Sequence, residues 1–226
     1  MFTKVLIANR GEIAVRIERT LSKMGIGSVA VYSEADQDSL HVSNADEAVC
    51  LGSGSVAETY LDTGKIIAAA VEKGAQAIHP GYGFMSESSE FAKKCAENGI
   101  VFIGPTPEQL SLFGLKHTAR ECAEKAGIPL LKGSGILSGV EDAVKKAGET
   151  GYPVMLKSTA GGGGIGMRVF RSEDELRNAY DAVEHLAEKN FGNGGLFIEK
   201  YVEHARHIEV QIFGSDKGVI AIGERE

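Results

Sequence analysis

The sequence predicts an α/β protein: a doubly wound parallel-sheet domain over residues 1–115, then a smaller α+β domain over residues 116–226. Three observations carry this. Short apolar runs at 5–8, 28–32, 48–51, 76–78 and 101–103 alternate with segments of helical periodicity, the signature of βαβ units. After Pro105-Thr106-Pro107 that rhythm stops. Beyond it, strands with turn signals flank a run of four glycines, which marks an α+β arrangement.

Taken in order, Val5-Leu6-Ile7-Ala8 reads as a strand buried on both faces. Ile13, Ile17, Leu21 and Met24 then recur at helical spacing, and Gly25 ends that helix. Strands at 28–32 and 48–51 follow, then a helix over 66–71 closed by Gly74. Gln76-Ala77-Ile78 is the fourth strand, ending at His79-Pro80; residues 91–97 form a helix closed by Gly99, and 101–103 the fifth strand. Parallel crossovers of this kind are right-handed, so helices cover both sheet faces. In the second part, 110–125 is helical with an interruption near Gly114, and 140–147 is a helix. A strand at 153–156 enters the glycine run and 167–170 leaves it. Ser172 and Glu175 form a capping box for a helix reaching residue 188. Residues 196–199 are a strand, 208–212 a half-buried one, and 219–222 pairs with the latter as an antiparallel hairpin.

Composition narrows the function. The chain of 226 residues carries 24 Lys+Arg against 31 Asp+Glu, a net charge of −7 that argues against nucleic acid as a partner. Cys50, Cys95 and Cys122 are odd in number and far apart, which reads as reduced thiols in a cytoplasmic protein. No apolar run is long enough to span a membrane, so no membrane association is expected. Glycine is abundant, at 29 residues.

The strongest chemical signal is Lys157-Ser158-Thr159-Ala160 followed by Gly161-Gly162-Gly163-Gly164-Ile165-Gly166. Consecutive glycines cost backbone entropy and add nothing to a core. They do let backbone N–H groups approach an anion, and Lys157 sits just upstream to neutralise it. A flexible hairpin tip with a solvated lysine is the plainer alternative. No Gly-Lys-Ser/Thr closes the run, so it is not a Walker A loop. Asn9-Arg10-Gly11-Glu12 and His79-Pro80-Gly81-Tyr82-Gly83-Phe84 both follow strand ends, where doubly wound folds bind ligands. The first lacks GxGxxG, and each serves equally well as a structural turn. His41, His79, His117, His185, His204 and His207 show no zinc-type spacing with the cysteines, and no hydrolase nucleophile motif occurs.

Six motifs in fixed order nevertheless form a pattern. Ile7-Ala8-Asn9-Arg10-Gly11-Glu12-Ile13-Ala14, His79 to Phe84 with Ser86-Glu87, Phe102-Ile103-Gly104-Pro105-Thr106, the glycine run, Glu199-Lys200-Tyr201 and Arg206-His207-Ile208-Glu209-Val210-Gln211 make the whole chain resemble the biotin carboxylase component of biotin-dependent carboxylases, an ATP-grasp family. Ile165 in place of the arginine usual in acyl-CoA-type members, Phe113-Gly114-Leu115-Lys116-His117-Thr118-Ala119-Arg120 and Asn190-Phe191-Gly192 look like the urea carboxylase branch, which includes urea amidolyase and enzymes acting on guanidine.

The resemblance implies a pre-ATP-grasp domain followed by an incomplete ATP-grasp domain, with residues 131–202 as a lid. It implies that ATP phosphorylates bicarbonate to carboxyphosphate, whose carbon dioxide carboxylates biotin on a separate carrier domain. A carboxyltransferase domain then passes the carboxyl group to urea or guanidine. It places ATP phosphates on Lys116 and Lys157, closes Gly163 and Gly164 over them, sets Glu199, Lys200, Tyr201 and Val202 beside adenine, and puts His207 near the nucleotide. Magnesium ligands and catalytic residues are expected downstream of Glu226, so none is assigned within the chain, and these residues alone are expected to be inactive. A guanidine, pyruvate or acyl-CoA carboxylase, another ATP-grasp ligase, and a non-catalytic nucleotide-binding module are the alternatives.

Overall fold

Five strands build the first sheet, and all of them are parallel: β1 (Lys4–Ile7), β2 (Gly27–Tyr32), β3 (Glu47–Cys50), β4 (Ala77–His79) and β5 (Val101–Phe102), in the order β3-β2-β1-β4-β5. The computed structural model describes residues 1–159, 166–191, 194–215 and 217–226. It divides into two compact units, Met1–Ala119 and Arg120–Glu226.

In the first unit, Val5, Ile7 and Ala77 are buried against Ala14, Ile17 and Leu21 of helix α1 (Gly11–Lys23). From the other face, Leu6, Val29, Val31 and Ile78 pack with Ile66 and Ala70 of α3 (Thr63–Glu72) and with Phe91 and Cys95 of α4 (Ser89–Glu97). Residues alternate between the two faces because the strand period is two, which is why β1 reads as one unbroken apolar run. The predicted helix stops at Gly25, Gly74 and Gly99 all hold, at φ +67°, +65° and +69°. A short helix α2 (Leu40–Asn44), too brief to show a period, was not anticipated.

The helix expected over 110–125 is two helices, α5 (Pro107–Gly114) and α6 (Lys116–Lys125). The break falls at Leu115, whose backbone is extended. Thr118 Oγ1 donates to the Leu112 and Leu115 carbonyls at 2.5 and 2.8 Å, satisfying acceptors that the end of α5 exposes.

The second unit holds an antiparallel sheet in the order β7-β6-β8, from β6 (Val154–Ser158), β7 (Met167–Phe170) and β8 (Leu196–Lys200). Its core joins Val154, Leu156, Phe170, Leu196 and Ile198 to α7 (Val140–Thr150) and α8 (Glu173–Phe191) through Ala143, Ala147, Leu176 and Tyr180. The predicted cap of α8 differs in one detail. Ser172 Oγ accepts from Glu175 N at 3.3 Å, but the Glu175 carboxylate accepts from Arg171 N at 2.8 Å, one residue earlier than a capping box requires.

The last two strands, β9 (Glu209–Ser215) and β10 (Gly218–Arg225), form the expected hairpin, with a bulge between Ala221 and Gly223. They are longer than predicted. The half-buried reading of 208–212 is corrected: Ile208, Val210, Ile212 and Ile220 are all exposed, because the two strands form a sheet of their own. Among the described residues no helix is long and apolar enough to cross a membrane.

Candidate functional site

Alternation along β6 settles where Lys157 goes. Val154, Leu156 and Ser158 are buried on one face, which leaves Met155 and Lys157 on the other. On the neighbouring strand Met155 lies opposite Glu199, and Lys157 opposite Phe197. Lys157 and Glu199 are therefore diagonal neighbours on one sheet face, within reach of long side chains. The Lys157 ammonium donates to Glu199 Oε2.

Glu199 has a second cation. Arg120 Nη1 meets its Oε1 at 2.6 Å, while Arg120 Nη2 donates to the Leu131 carbonyl. The side chains of Arg120, Lys157 and Glu199 are only 17–23% exposed. Two cations share one anion, so the cluster carries a net positive charge in a partly desolvated setting, where charge-assisted contacts are strong.

A third segment shapes the cluster. Ser134 N donates to Ile198 O, and Lys200 N to Lys132 O, both at 2.8 Å, so residues 132–134 flank β8 on the side away from β6. Gly133 lies opposite Glu199, and a Cβ there would stand 2.6 Å from Ile198 O and 3.2 Å from Arg120 Nη2. A side chain there would collide with the β8 backbone and crowd the guanidinium.

The first unit offers a second candidate position, at the C-terminal ends of β1 and β4. The strand order turns there, the usual ligand crevice of such sheets. Asn9, 4% exposed, donates through Nδ2 to the carbonyls of Pro80 and Tyr82, both at 2.8 Å. His79 Nδ1 accepts from Gly81 N at 3.0 Å, and burial holds the imidazole pKa below its ordinary value. Arg10 pairs with Asp36 at 3.0 Å and lies over the stacked rings of Tyr60 and Phe84. Burial pulls the Asp36 carboxyl up, but hydrogen bonds from Tyr60, Ser33 and Arg10 outweigh it and hold it below the usual value. Burial, then donation to Asp36, pushes Tyr60 up to about 12. These contacts fix the loop from His79 to Phe84.

Matches to known proteins agree with this arrangement. Residues 1–110 match the family model for the biotin carboxylase N-terminal domain, and residues 116–226 that for the carbamoyl-phosphate synthase L chain ATP-binding domain. The chain belongs to the biotin carboxylase family. It is 55% identical over its whole length to urea amidolyase of Lachancea kluyveri, covering 12% of that protein. It is 52% identical to biotin carboxylase of a Nostoc species, again over its whole length, covering 51%. The biotin carboxylase domain of Hydrogenobacter thermophilus 2-oxoglutarate carboxylase, solved with MgADP, ADP and bicarbonate, superposes with a TM-score of 0.92 at 47% identity, over 99% of this chain and 50% of that one. The chain thus spans about half, or less, of the relatives it matches.

For this biotin carboxylase family member, the expected nucleotide residues fall into groups. Lys157 and Glu199 come together. The Lys200 ammonium instead donates to the carbonyls of Gly151 and Tyr152, at 2.8 and 2.9 Å. The backbone amides of Lys200 and Tyr201 donate to Lys132 O and Pro153 O, and Val202 is exposed. His207 precedes β9, with Glu209 as ring partner at 3.2 Å. Lys116 opens α6. Gly163 and Gly164 lie outside the described residues. Among the described residues no three His, Cys, Asp or Glu side chains cluster. In the sequence Arg120 stands out only as part of a branch motif; nothing in its spacing shows that it meets a residue 79 positions away.

Proposed function

We propose that the protein containing this chain is a cytoplasmic, ATP-dependent biotin carboxylase that serves a urea carboxylase. The Arg120–Glu199–Lys157 cluster carries the reading: one surplus positive charge, largely buried, with Lys157 on the strand that leads into the glycine run. Phosphoryl transfer asks the protein for positioning and charge neutralisation more than for covalent chemistry. Lys157 neutralises ATP phosphate oxygens, and the glycine run, Gly163 and Gly164 included, supplies backbone N–H donors around them. Lys116 is the second phosphate ligand. The carbonyls of Glu199 to Tyr201 and the Val202 backbone line the base, with His207 beside the nucleotide.

ATP transfers its γ-phosphoryl group to bicarbonate, giving ADP and carboxyphosphate; this breaks down to phosphate and carbon dioxide, and the ring nitrogen of biotin on a carrier domain gives up its proton to phosphate and takes the carbon dioxide as a carboxyl group. A carboxyltransferase domain delivers it to urea or guanidine. Magnesium would bridge and neutralise the phosphates when bound, and no ligand to it is assigned among the described residues. The urea branch is supported by Ile165, Lys116-His117-Thr118-Ala119-Arg120 and Asn190-Phe191-Gly192, and by the 55% identity to a urea amidolyase. The test is an acceptor panel on the full-length protein: ATP hydrolysis stimulated by urea or guanidine, and not by pyruvate or acetyl-CoA, supports it. Stimulation by an acyl-CoA alone moves the chain to the acyl-CoA carboxylases.

A further inference from the structure

We propose that Arg120 is a positioning residue for ATP phosphate binding: it anchors Glu199, so that Lys157 can leave that carboxylate for phosphate without drawing it along. The proposal rests on the reading of Lys157 as a phosphate ligand.

The geometry is that of a divided carboxylate. Oε1 belongs to Arg120 and Oε2 to Lys157, so neither cation competes for the other's oxygen. Arg120 is itself pinned from two sides, Nη1 on Glu199 and Nη2 on the Leu131 carbonyl. Gly133 leaves room for it, since a Cβ there would come within 3.2 Å of Nη2. Among the described residues the Lys157 ammonium shows only its Glu199 contact, and its four-carbon stem lets it swing while Glu199 stays behind.

The consequence is an exchange of ion pairs. Before phosphate arrives, Glu199 neutralises Lys157 and keeps an uncompensated ammonium out of a site whose side chains are about four-fifths buried, a costly arrangement otherwise. When phosphate takes the ammonium, Glu199 is still neutralised by Arg120. Without Arg120, Glu199 has Lys157 as its sole cation in the cluster. It then holds that lysine back, or follows it and sets a second anion beside the phosphate.

The test is calorimetric titration of the full-length protein with the non-hydrolysable β,γ-imido analogue of ATP. Arg120→Met is expected to weaken binding about tenfold, and Arg120→Met with Glu199→Gln to recover most of that loss, a coupling typical of residues in one ionic network. A purely structural role for Arg120 would show no recovery. Glu199→Gln alone is expected to tighten binding about threefold, by releasing Lys157. That result decides the matter if Arg120→Met does not fold; unchanged or weaker binding overturns the proposal. Lys157→Met separates the two levels. If it binds the analogue like wild type, the phosphate reading has failed. If it binds weakly while Arg120→Met binds normally, or the double variant fails to recover, the phosphate reading stands and the positioning role falls.

Discussion

Gly81→Ala should be among the most damaging small substitutions in the first unit, and its cost should travel through Asn9. Gly81 has φ +67°, and a Cβ there would stand 2.7 Å from Asn9 Nδ2, 3.1 Å from Asn9 Cγ and 3.1 Å from Ile13 Cγ1. The left-handed backbone alone costs an alanine about 1–2 kcal/mol. The clash adds more, because Asn9 is buried and its amide ties β1 to the Pro80 and Tyr82 carbonyls. Displacing it loses two hydrogen bonds of about 0.5–1.5 kcal/mol each. The total is roughly 2–5 kcal/mol, a large share of a domain's stability. Native-state hydrogen exchange at the β1 and β4 amides reads this locally, free of the second unit. The decisive comparison is the double variant. In an Asn9→Ala background the clash with Asn9 is gone and only the tight Ile13 contact remains, so Gly81→Ala should cost little beyond the backbone share of about 1–2 kcal/mol. Fully additive losses, or a Gly81→Ala cost below about 1 kcal/mol, would refute the coupling.

Other predictions follow from single sites. Glu18 is 5% exposed, its carboxylate oxygens have no hydrogen-bond partner among the described residues, and burial, then the nearby Asp46 charge, pushes its pKa from 4.5 up to about 7. The folded state therefore binds the proton more tightly, and wild-type stability falls as pH rises from 4.5 through 7. Glu18→Gln should match wild type near pH 4 and exceed it by roughly 2–3 kcal/mol above pH 7; parallel denaturation curves across that range would contradict this. Leu156, fully buried under α7 and α8, should cost about 2–5 kcal/mol when truncated to alanine, read as faster exchange at β6 amides, whereas truncating exposed Ile220 should cost under about 1 kcal/mol. Lys157→Ala should cut bicarbonate-dependent ATP hydrolysis by the full-length protein on the order of a hundredfold, and a wild-type rate would remove Lys157 from the phosphate site.

The first unit was legible because each of its signals is local. An unbroken apolar run at 5–8 marks a strand buried on two faces, and Gly25, Gly74 and Gly99 end helices by a conformation that other residues resist. The second unit was legible in its elements and less so in its contacts. The sequence showed that Lys157 leads into a glycine run, but not that Glu199 sits diagonally across from it, because that depends on the β6–β8 register. Arg120 escaped for the same reason: a helix residue meeting a strand residue 79 positions later leaves no periodic trace. Lys200 is next to Glu199 in sequence, yet strand alternation sends its ammonium to the Gly151 and Tyr152 carbonyls, away from the Lys157 cluster. The exposure of β9 and β10 was misjudged because alternation reports a buried face only where a second layer covers it.

The most direct test of the account is transfer of label from radioactive bicarbonate to biotin in the purified full-length protein. The account predicts acid-labile, biotin-bound label that requires ATP and is lost on the order of a hundredfold in Lys157→Ala. Label that reaches biotin without ATP, or ATP hydrolysis indifferent to bicarbonate, would contradict it.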